Sequence, residues 1–468
     1  MHREEFDIAI IGAGPGGYVA AIRCAQLGKK VALIEKKALG GTCLNVGCIP
    51  TKTLLAGAEV LHTIKHADAF GIAVGSISFN YAKMKARKDE VVSGIRKGLT
   101  GLLQANQIKV FQGSAEFTSP NELKIKGEES LYLKAHKVII ATGSAPSSLK
   151  MLPCDHKNIY DSTSILDMTE IPKSLAIIGG GYIGCEFASL YAELGVKVTI
   201  LEALSSIVSL QGKTISSTLT RSFIKQGIDI RCNAVVEKIS PVSLGLELSL
   251  KEGDPLICDK VLISVGRKVV SEGLALEMAG VLTDNKGAIT VNEKMETTVP
   301  GIYAIGDVTA LNMLAHVASH QGIVAANQAC GIDESMHYDA VPAVIFTHPE
   351  IASVGLTEEA ALEKGLQFDI GRYPFQALGK SVAAKKTEGF VELLSEKKTG
   401  RILGAQIVGD GASVLIAEVT LAIHGEIPID ILIDTIHAHP TISEAISEAA
   451  LLAQGTPLHF PPKSKKKE

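Results

Sequence analysis

Apolar residues recur along the chain in two alternating patterns that glycine-rich turns connect. Residues 6–12 (FDIAIIG) form a short apolar run typical of a buried strand, and residues 18–28 (YVAAIRCAQLG) have the apolar spacing of a helix. A second apolar run, residues 29–35 (KKVALIE), ends on an acid, Glu35. The beginning of the chain therefore predicts a strand, a glycine turn, a helix and a second strand that ends in a carboxylate.

The same order of elements returns later in the chain. Residues 174–180 (SLAIIGG) predict a strand, residues 182–195 (YIGCEFASLYAELG) a helix, and residues 196–202 (VKVTILE) a strand that ends on Glu202. Each motif residue of the second copy, from the first glycine to the acid, lies 167 residues after its counterpart in the first copy. A repeat of this length and regularity indicates two domains of the same kind.

Each glycine turn has the spacing of a dinucleotide-binding turn, in which glycines allow the backbone to approach a pyrophosphate at a helix N-terminus. The turn glycines are Gly12, Gly14 and Gly17 in the first copy and Gly179, Gly181 and Gly184 in the second. The acid at the end of the second strand binds ribose hydroxyls. Because Ala203 and Leu204 follow Glu202 and provide no arginine, the second copy predicts a preference for NAD over NADP.

Further apolar runs complete the predicted fold class. Residues 138–144 (VIIATGS) and 261–267 (VLISVGR) each predict a buried strand that runs into a glycine turn, and residues 301–308 (GIYAIGDV) predict a strand that ends on Asp307. From about residue 345 the pattern changes to strands followed by a helical run. We therefore expect an α/β protein with two Rossmann-like dinucleotide-binding domains and a C-terminal α+β domain.

Composition and charge exclude several classes of protein. The 468 residues suffice for roughly three domains, and a net charge of -4 gives no basic surface for nucleic acid. The basic tail, residues 463–468 (KSKKKE), predicts a solvated end. The N-terminus does not have a signal-peptide pattern, and the longest uncharged run, residues 308–332, is too polar to span a membrane. We expect a cytoplasmic protein whose eight cysteines are not a disulfide framework.

Residues 41–52 (GTCLNVGCIPTK) place Cys43 and Cys48 close together at a predicted helix start. A zinc site would need two further ligands at suitable spacing, and a structural disulfide is uncommon in the cytoplasm. A redox pair is favoured because Pro50 and the apolar spacing that follows put Cys48 near a helix N-terminus, where a thiolate is stabilised.

A proton acceptor for such a pair is predicted near the end of the chain. In residues 435–450 (TIHAHPTISEAISEAA), His439 is followed five residues later by Glu444 at the start of a predicted helix. A carboxylate that binds one imidazole nitrogen fixes the tautomer and stabilises the protonated ring. A histidine in an apolar context is usually structural, and we interpret His437 in this way. Two histidines with this spacing also suggest a metal site.

The combination of these motifs resembles the flavin disulfide reductases. The stretches that carry the resemblance are GGTCLNVGCIPTK, the two glycine turns, ATGS, AIGDV and HAHPTISE, in that order along nearly the whole chain. The resemblance implies a division into a first FAD-binding part, an NAD-binding domain, a second FAD-binding part and a dimerisation domain. The expected boundaries are 1–148, 149–271, 272–343 and 344–468.

The resemblance also implies roles for individual residues. Cys48 is expected to face the flavin, Cys43 to exchange with the substrate, and His439, oriented by Glu444 and supplied by the second subunit of a homodimer, to move the proton. Lys52 is expected near the flavin and paired with Glu186, and the backbone of Ala315 at a helix start is expected to face the flavin carbonyl. The residues expected to hold FAD are Gly12, Gly14, Gly17, Glu35, Gly143 and Asp307. Those expected to hold NAD are Gly179, Gly181, Gly184, Glu202 and Gly266.

Within the family, the resemblance implies oxidation of protein-bound dihydrolipoamide by NAD, through FAD and the Cys43–Cys48 disulfide. Expected partners are the lipoyl domains and acyltransferase core of 2-oxo acid dehydrogenase complexes, or a glycine cleavage lipoyl protein. The alternative is an NADH-dependent reductase of another small disulfide. Thr51 stands where glutathione and trypanothione reductases usually carry a second lysine, and no cysteine follows Cys330, which disfavours members with a C-terminal redox pair.

The sequence departs from the family pattern at one place. The family often has a Pro-Asn pair after the glycine turn of VGR, whereas this chain has Lys268, Val269 and Val270. This change concerns the wall of the expected NAD site.

Overall fold

The structure is a computed structural model that describes residues 3–128 and 130–461; the lysine-rich tail, predicted to be a solvated end, lies outside these residues. The chain forms two compact units. Of the described residues, the first unit contains 3–128, 130–149, 154–171 and 265–337, and the second contains 150–153, 172–264 and 338–461.

The helices and strands are numbered here in chain order. Up to residue 171 they are β1 Arg3–Ile11, α1 Pro15–Gln26, β2 Val31–Glu35, α2 Gly41–Val46, α3 Cys48–Lys65, α4 Tyr81–Ala105, β3 Lys109–Gln112, β4 Ser114–Ser119, β5 Glu122–Lys126, β6 Ser130–Ile140, β7 Ser144–Pro146 and β8 Ile159–Asp161. From residue 172 to 264 they are β9 Ser174–Ile178, α5 Tyr182–Glu193, β10 Lys197–Glu202, α6 Lys213–Lys225, β11 Asp229–Cys232, β12 Val236–Val242, β13 Gly245–Leu250, β14 Leu256–Cys258 and β15 Lys260–Ile263.

The remaining elements follow residue 264. They are β16 Arg267–Val269, β17 Ile302–Ala304, α7 Ala315–Ala329, β18 Ala343–Ile345, β19 Ile351–Gly355, α8 Glu358–Glu363, β20 Phe368–Pro374, α9 Gly379–Ala383, β21 Phe390–Glu396, β22 Ile402–Val408, α10 Ala412–His424, α11 Ile429–Asp434 and α12 Glu444–Ala453.

The first unit is built on a sheet with strand order β3-β2-β1-β6-β5-β4, in which β17 also pairs with β6. The strands β3, β2, β1, β6 and β17 are parallel, whereas β4 and β5 are antiparallel additions. All five residues of β2 are buried, which explains its continuous apolar run, and Ile34 shares one core with Phe117 of β4 and Ile125 of β5. The glycine turn lies at the C-terminal end of β1, and α1 returns the chain to the N-terminal end of the parallel strand β2.

The second unit contains a smaller parallel sheet with the strand order β11-β10-β9-β15 and a separate antiparallel sheet, β12-β13-β14. Its C-terminal part is a five-stranded antiparallel sheet with the order β18-β19-β22-β21-β20. Apolar residues of α10 and α12 share one buried core with this sheet. Two parallel sheets that each carry a glycine turn, together with this α+β part, confirm the predicted fold class.

One predicted strand is shorter than expected. The strand predicted to end on Asp307 stops at Ala304, and Asp307 lies in a short 3-10 turn, Gly306–Thr309. Gly306 has φ of 72°, a conformation that leaves the extended region, and its N–H donates to Gln321 Oε1 at 2.6 Å. The chain therefore turns before the carboxylate, which places Asp307 beyond the end of the sheet.

Candidate active site

The first glycine turn is closed by contacts that only glycine permits. Gly12 has φ of +104°, and a Cβ on Gly17 would lie 1.9 Å from the carbonyl oxygen of Gly12. Gly14, by contrast, is not crowded by the protein, since a Cβ there would have Gly41 Cα as its nearest neighbour at 4.0 Å. Gly12 and Gly17 thus shape the turn, and Gly14 leaves room for a ligand to approach the N-terminus of α1.

The second glycine turn repeats this geometry. Gly179 has φ of +103°, and a Cβ on Gly184 would lie 2.1 Å from the carbonyl oxygen of Gly179. A Cβ on Gly181 would meet no protein atom within 4 Å. Neither α1 nor α5 has an acidic residue in its first turn or a side-chain cap. The N–H groups at both helix N-termini are therefore suited to bind an anion. Both turns fit the pyrophosphate of a dinucleotide.

The two acids are held in the same way. Glu35 accepts hydrogen bonds from the N–H of Ala13 through Oε2 at 2.8 Å and from the N–H of Lys37 through Oε1 at 2.7 Å. Glu202 accepts from the N–H of Gly180 at 2.6 Å and from the N–H of Leu204 at 2.7 Å. Each carboxylate is thereby fixed beside its glycine turn, and each oxygen has a second lone pair for a ribose hydroxyl.

Asp307 belongs to a polar cluster that the sequence did not reveal. Ser144 Oγ donates to Asp307 Oδ2, and Arg267 Nε donates to Ser144 Oγ at 2.7 Å and lies 3.7 Å from Asp307 Oδ2. The pairing of β7 with β16 brings Ser144 and Arg267 together. Gly143, at φ of +71°, accepts from the N–H of Val270 at 2.9 Å. The cluster therefore places the Asp307 carboxylate close to the positive charge of Arg267 and beside the glycine turn at Gly143.

Ala315, predicted at a helix start, is the first residue of α7. This helix packs closely on α1, because a Cβ on Gly322 would lie 2.5 Å from the carbonyl oxygen of Gly16. The N-terminus of α7 is therefore fixed relative to the first glycine turn.

Cys43 lies in α2, which begins directly beside the first glycine turn. A Cβ on Gly41 would lie 2.6 Å from Gly14 Cα, so only glycine allows this approach. The Cys43 thiol is hydrogen-bonded to Cys48, which strongly raises the pKa of Cys43; burial raises it further, and the nearby Lys52 ammonium lowers it. The two cysteines do not form a disulfide in this structure.

Cys48 is the first residue of the 18-residue helix α3. The free N–H groups and the positive dipole end of a helix N-terminus stabilise a thiolate at such a position. The helix is anchored here by Thr51, whose Oγ1 donates to the carbonyl of Gly47 at 2.7 Å. The positions of the two thiols fit a disulfide that opens to leave negative charge on Cys48.

His439 and Glu444 form the predicted pair in the second unit. Nδ1 of His439 lies 2.9 Å from Glu444 Oε1, and Glu444 Oε2 accepts from the N–H of Thr441 at 2.9 Å. Partial burial alone would raise the pKa of Glu444, but the hydrogen bonds from His439 and Thr441 lower it. The imidazole side chain is 78% exposed, so its Nε2 is available to exchange a proton with a ligand.

His437 differs from His439 although it is two residues away. Its Nε2 lies 2.8 Å from Glu418 Oε1, its Nδ1 lies 3.0 Å from the carbonyl of Thr435, and its side chain is only 7% exposed. Both ring nitrogens are engaged inside the protein, which agrees with the structural interpretation. The sequence did not indicate Glu418, because it lies on α10.

The remaining predicted residues lie in different units. Glu186 is buried on α5 and accepts the N–H of Phe346 at 3.0 Å, whereas Lys52 and Gly266 belong to the first unit. The pairing of Lys52 with Glu186 and the role of Gly266 towards NAD therefore stay predictions. In the segment that departs from the family pattern, Lys268 is exposed and paired with Glu272 at 2.6 Å, and Val269 is buried in β16.

Residues 3–128 and 130–461 contain neither a candidate metal site nor a candidate membrane-spanning helix. No group of three or more His, Cys, Asp or Glu side chains there is arranged to hold a metal ion. No helix in the same residues is long and apolar enough to cross a membrane.

Comparison with known proteins identifies the family. Residues 6–322 match the pyridine nucleotide-disulphide oxidoreductase model, and residues 341–450 match the dimerisation domain of the same family. The chain therefore belongs to the pyridine nucleotide-disulphide oxidoreductases, and FAD and NAD are its cofactors. The match to the dimerisation domain makes it a homodimer-forming member.

Individual relatives cover the whole chain. Dihydrolipoyl dehydrogenase of Chlamydia trachomatis is 49% identical over 464 residues, which is 99% of this chain and 100% of the relative. The crystal structure of LpdA from Mycobacterium tuberculosis has a TM-score of 0.90 at 26% identity, with 96% of this chain and 99% of that chain covered. The HOCl-induced flavoprotein disulfide reductase RclA from Escherichia coli has a TM-score of 0.86 at 32% identity, covering 95% and 99%.

Proposed function

We propose that this protein oxidises protein-bound dihydrolipoamide to lipoamide with NAD as the acceptor, as a dihydrolipoyl dehydrogenase. The observation that carries the proposal is the hydrogen-bonded Cys43–Cys48 pair at the start of α3, beside the first glycine turn. The full-length likeness to the chlamydial dihydrolipoyl dehydrogenase supports the choice of substrate.

In this proposal the two cysteines exchange with the substrate dithiol. The partner's His439 takes a proton from one substrate thiol, and the resulting thiolate attacks Cys43 of the Cys43–Cys48 disulfide. Cys48 leaves as a thiolate, which the N-terminus of α3 stabilises. The second substrate sulfur then displaces Cys43, which takes up a proton as lipoamide leaves.

Other residues of the chain position the reaction. Glu444 binds Nδ1 of His439 and so presents Nε2 to the thiol, while it stabilises the imidazolium that forms. Lys52 lies close enough to favour negative charge at the thiol pair. When bound, FAD carries the two electrons from the dithiol to NAD.

The nucleotide sites follow from the two glycine turns. The first turn, with Glu35 and the Asp307 cluster, would hold FAD, and Gly143 would line that site. The second turn, with Glu202, would hold NAD. Gly266 and the Lys52–Glu186 pairing complete the proposed nucleotide sites. The proposed domains end at residues 148, 271 and 343.

The proposed substrate implies partners and a location. A lipoyl group carried on a protein points to the lipoyl domains and acyltransferase core of 2-oxo acid dehydrogenase complexes, or to a glycine cleavage lipoyl protein. We place the homodimer in the cytoplasm. This location is supported by eight cysteines that form no disulfide framework.

The alternative function is an NADH-dependent reductase of another small disulfide. The 32% identity to RclA, named as a disulfide reductase, is the observation behind it. The higher identity to the dihydrolipoyl dehydrogenase and its coverage of both chains favour the first function.

Steady-state kinetics with two substrate pairs separate these functions. We expect a value of kcat/KM for dihydrolipoamide with NAD that exceeds the value for NADH with glutathione disulfide by orders of magnitude. A preference for NADH with glutathione disulfide, or no turnover of dihydrolipoamide, would refute the proposed substrate while leaving both nucleotide sites in place.

A further inference from the structure

A second pair of cysteines lies outside the site just described. Cys24 lies near the C-terminal end of α1 and is fully buried, and Cys330 follows the last residue of α7 and is partly buried. The two thiols are hydrogen-bonded to each other, although they are far apart in sequence. Neither takes part in the proposed dithiol chemistry.

The two helices that carry these thiols are packed in a fixed register. Gly16, near the start of α1, lies against Gly322, in the middle of α7, and Cys24 meets Cys330 about two turns later in each chain segment. The separation along the chain is the same for both contacts, so the helices run parallel. Next to the thiols, Arg23 Nε donates to Asn327 Oδ1 at 2.8 Å. The thiols are therefore held in contact by the surrounding structure.

The surroundings of the pair favour reaction at Cys330. The hydrogen bond with Cys24 lowers the pKa of Cys330 to about 7; burial opposes this shift, and the positive charges of Lys29 and Arg23 add to it. The same hydrogen bond, with burial, raises the pKa of Cys24. A partly exposed thiolate beside a buried thiol has the arrangement of an attacking and a resolving cysteine.

We propose that Cys24 and Cys330 are a second redox-active pair, which hydrogen peroxide converts into a disulfide that joins helices α1 and α7. The Cys330 thiolate attacks one peroxide oxygen and becomes a sulfenic acid as the O–O bond breaks and hydroxide leaves. The sulfur of Cys24 then attacks the sulfenic sulfur, the S–S bond forms and the S–O bond breaks. The two thiols supply two electrons and two protons, and one peroxide becomes two molecules of water.

The disulfide would connect the two helices whose N-termini lie at the first glycine turn. It would therefore link the two helices covalently near their C-terminal ends. Oxidising conditions would form this disulfide, and a dithiol would reduce it. The Cys43–Cys48 chemistry does not require it, so the two pairs can be tested separately.

Thiol counting in the purified full-length holoenzyme tests the proposal. After treatment with a small excess of hydrogen peroxide and removal of the reagent, the denatured protein should have lost two free thiols per chain. If Cys43 and Cys48 start as thiols, their own oxidation adds two to this decrease. The assignment therefore depends on the joined peptide and on the difference between the wild type and Cys330→Ser, neither of which depends on the proposed function. A digest without reductant should contain one peptide pair joined through Cys24 and Cys330.

Three variants make the test specific. Cys330→Ser should lose two thiols fewer than the wild type under the same treatment, and Cys154→Ser, at another partly buried cysteine, should lose as many as the wild type. Cys24→Ser should trap Cys330 as a sulfenic acid that dimedone labels; Cys24→Ala serves if the serine variant does not fold. The absence of the joined peptide in the wild type, or an unchanged thiol loss in Cys330→Ser, would overturn the proposal.

Discussion

The two units contain the same nucleotide-binding turn but surround it with different chemistry. In both turns the first glycine has a positive φ, 104° at Gly12 and 103° at Gly179. A Cβ on the last glycine would lie 1.9 Å or 2.1 Å from the carbonyl oxygen of the first. In both, the strand-end acid accepts one N–H from the turn and one from two residues further on. The turn therefore defines how a dinucleotide is held, and not what happens to it.

What differs is the rest of each unit. The first turn touches the helix that carries Cys43, so the thiol pair lies next to this turn. The second unit instead contributes the His439–Glu444 pair from its C-terminal α+β part. The same glycine turn therefore occurs in two units that carry different reactive side chains, and substitutions in each unit can test its role separately.

The largest effect is expected from the sulfur of the first unit. Cys48→Ser should lower turnover by about 10⁴-fold or more, because a nucleophile that takes part in a covalent step is lost. FAD should stay bound, since the first glycine turn is unchanged. Steady-state rates and the flavin-to-protein absorbance ratio measure both. Cys154→Ser is the control and should have wild-type activity; substantial turnover by Cys48→Ser would contradict the disulfide mechanism.

The next largest effect concerns the second unit. His439→Ala should lower kcat by about 10²- to 10⁴-fold, because a general base is removed. His437→Ala is the matched control, since its imidazole is buried against Glu418; it should lower stability more than turnover per folded enzyme. Rates and thermal midpoints of both variants give the answer. Equal losses of turnover would mean that the two histidines do not differ as described.

A pair of equivalent substitutions tests the comparison of the turns directly. Gly17→Ala and Gly184→Ala introduce the same clash, and strain of this kind costs about 1–3 kcal/mol. Gly17→Ala should be purified with reduced FAD content, whereas Gly184→Ala should keep FAD and bind NAD about tenfold or more weakly. Flavin content and NAD titration distinguish the two. Loss of FAD from Gly184→Ala alone would reverse the assignment of the nucleotides.

The smallest effect is expected at the second acid. Glu202→Ala should lower the ratio of kcat/KM for NAD to that for NADP by about tenfold, because a hydrogen bond donated to a charged group contributes about 1.5–3 kcal/mol. Glu202→Gln keeps an acceptor for one of the two backbone N–H groups and removes the charge that repels a 2′-phosphate. Glu35→Ala, the equivalent change in the first unit, should leave the ratio unchanged. An unaltered ratio in both Glu202 variants would refute its role.

The parts of the site that were predictable from sequence are those whose partners are close along the chain. The glycine turns and their acids lie within one strand–helix–strand unit, and His439 and Glu444 are five residues apart. Cys48 was placed correctly at a helix start because Pro50 and the apolar spacing after it are local signals. These features depend on short-range geometry, which the sequence pattern carries.

The parts that escaped prediction depend on contacts between distant segments. Arg267 reaches Ser144 and Asp307 only because β16 pairs with β7, and no spacing in the sequence indicates this. The strand before Asp307 ends early because Gly306 turns the chain towards Gln321 on α7. The contact of Cys24 with Cys330 likewise results from the close packing of α1 on α7.

The central claim, that the Cys43–Cys48 pair passes electrons from a dithiol towards NAD, is tested most directly by an anaerobic absorbance titration of the yellow holoenzyme. Dihydrolipoamide is added first and NAD second, with Cys48→Ser in parallel. We predict that dihydrolipoamide produces a long-wavelength band from a thiolate beside the flavin, that NAD removes this band, and that Cys48→Ser never develops it. A wild-type spectrum that dihydrolipoamide leaves unchanged while NADH alters it would contradict the claim.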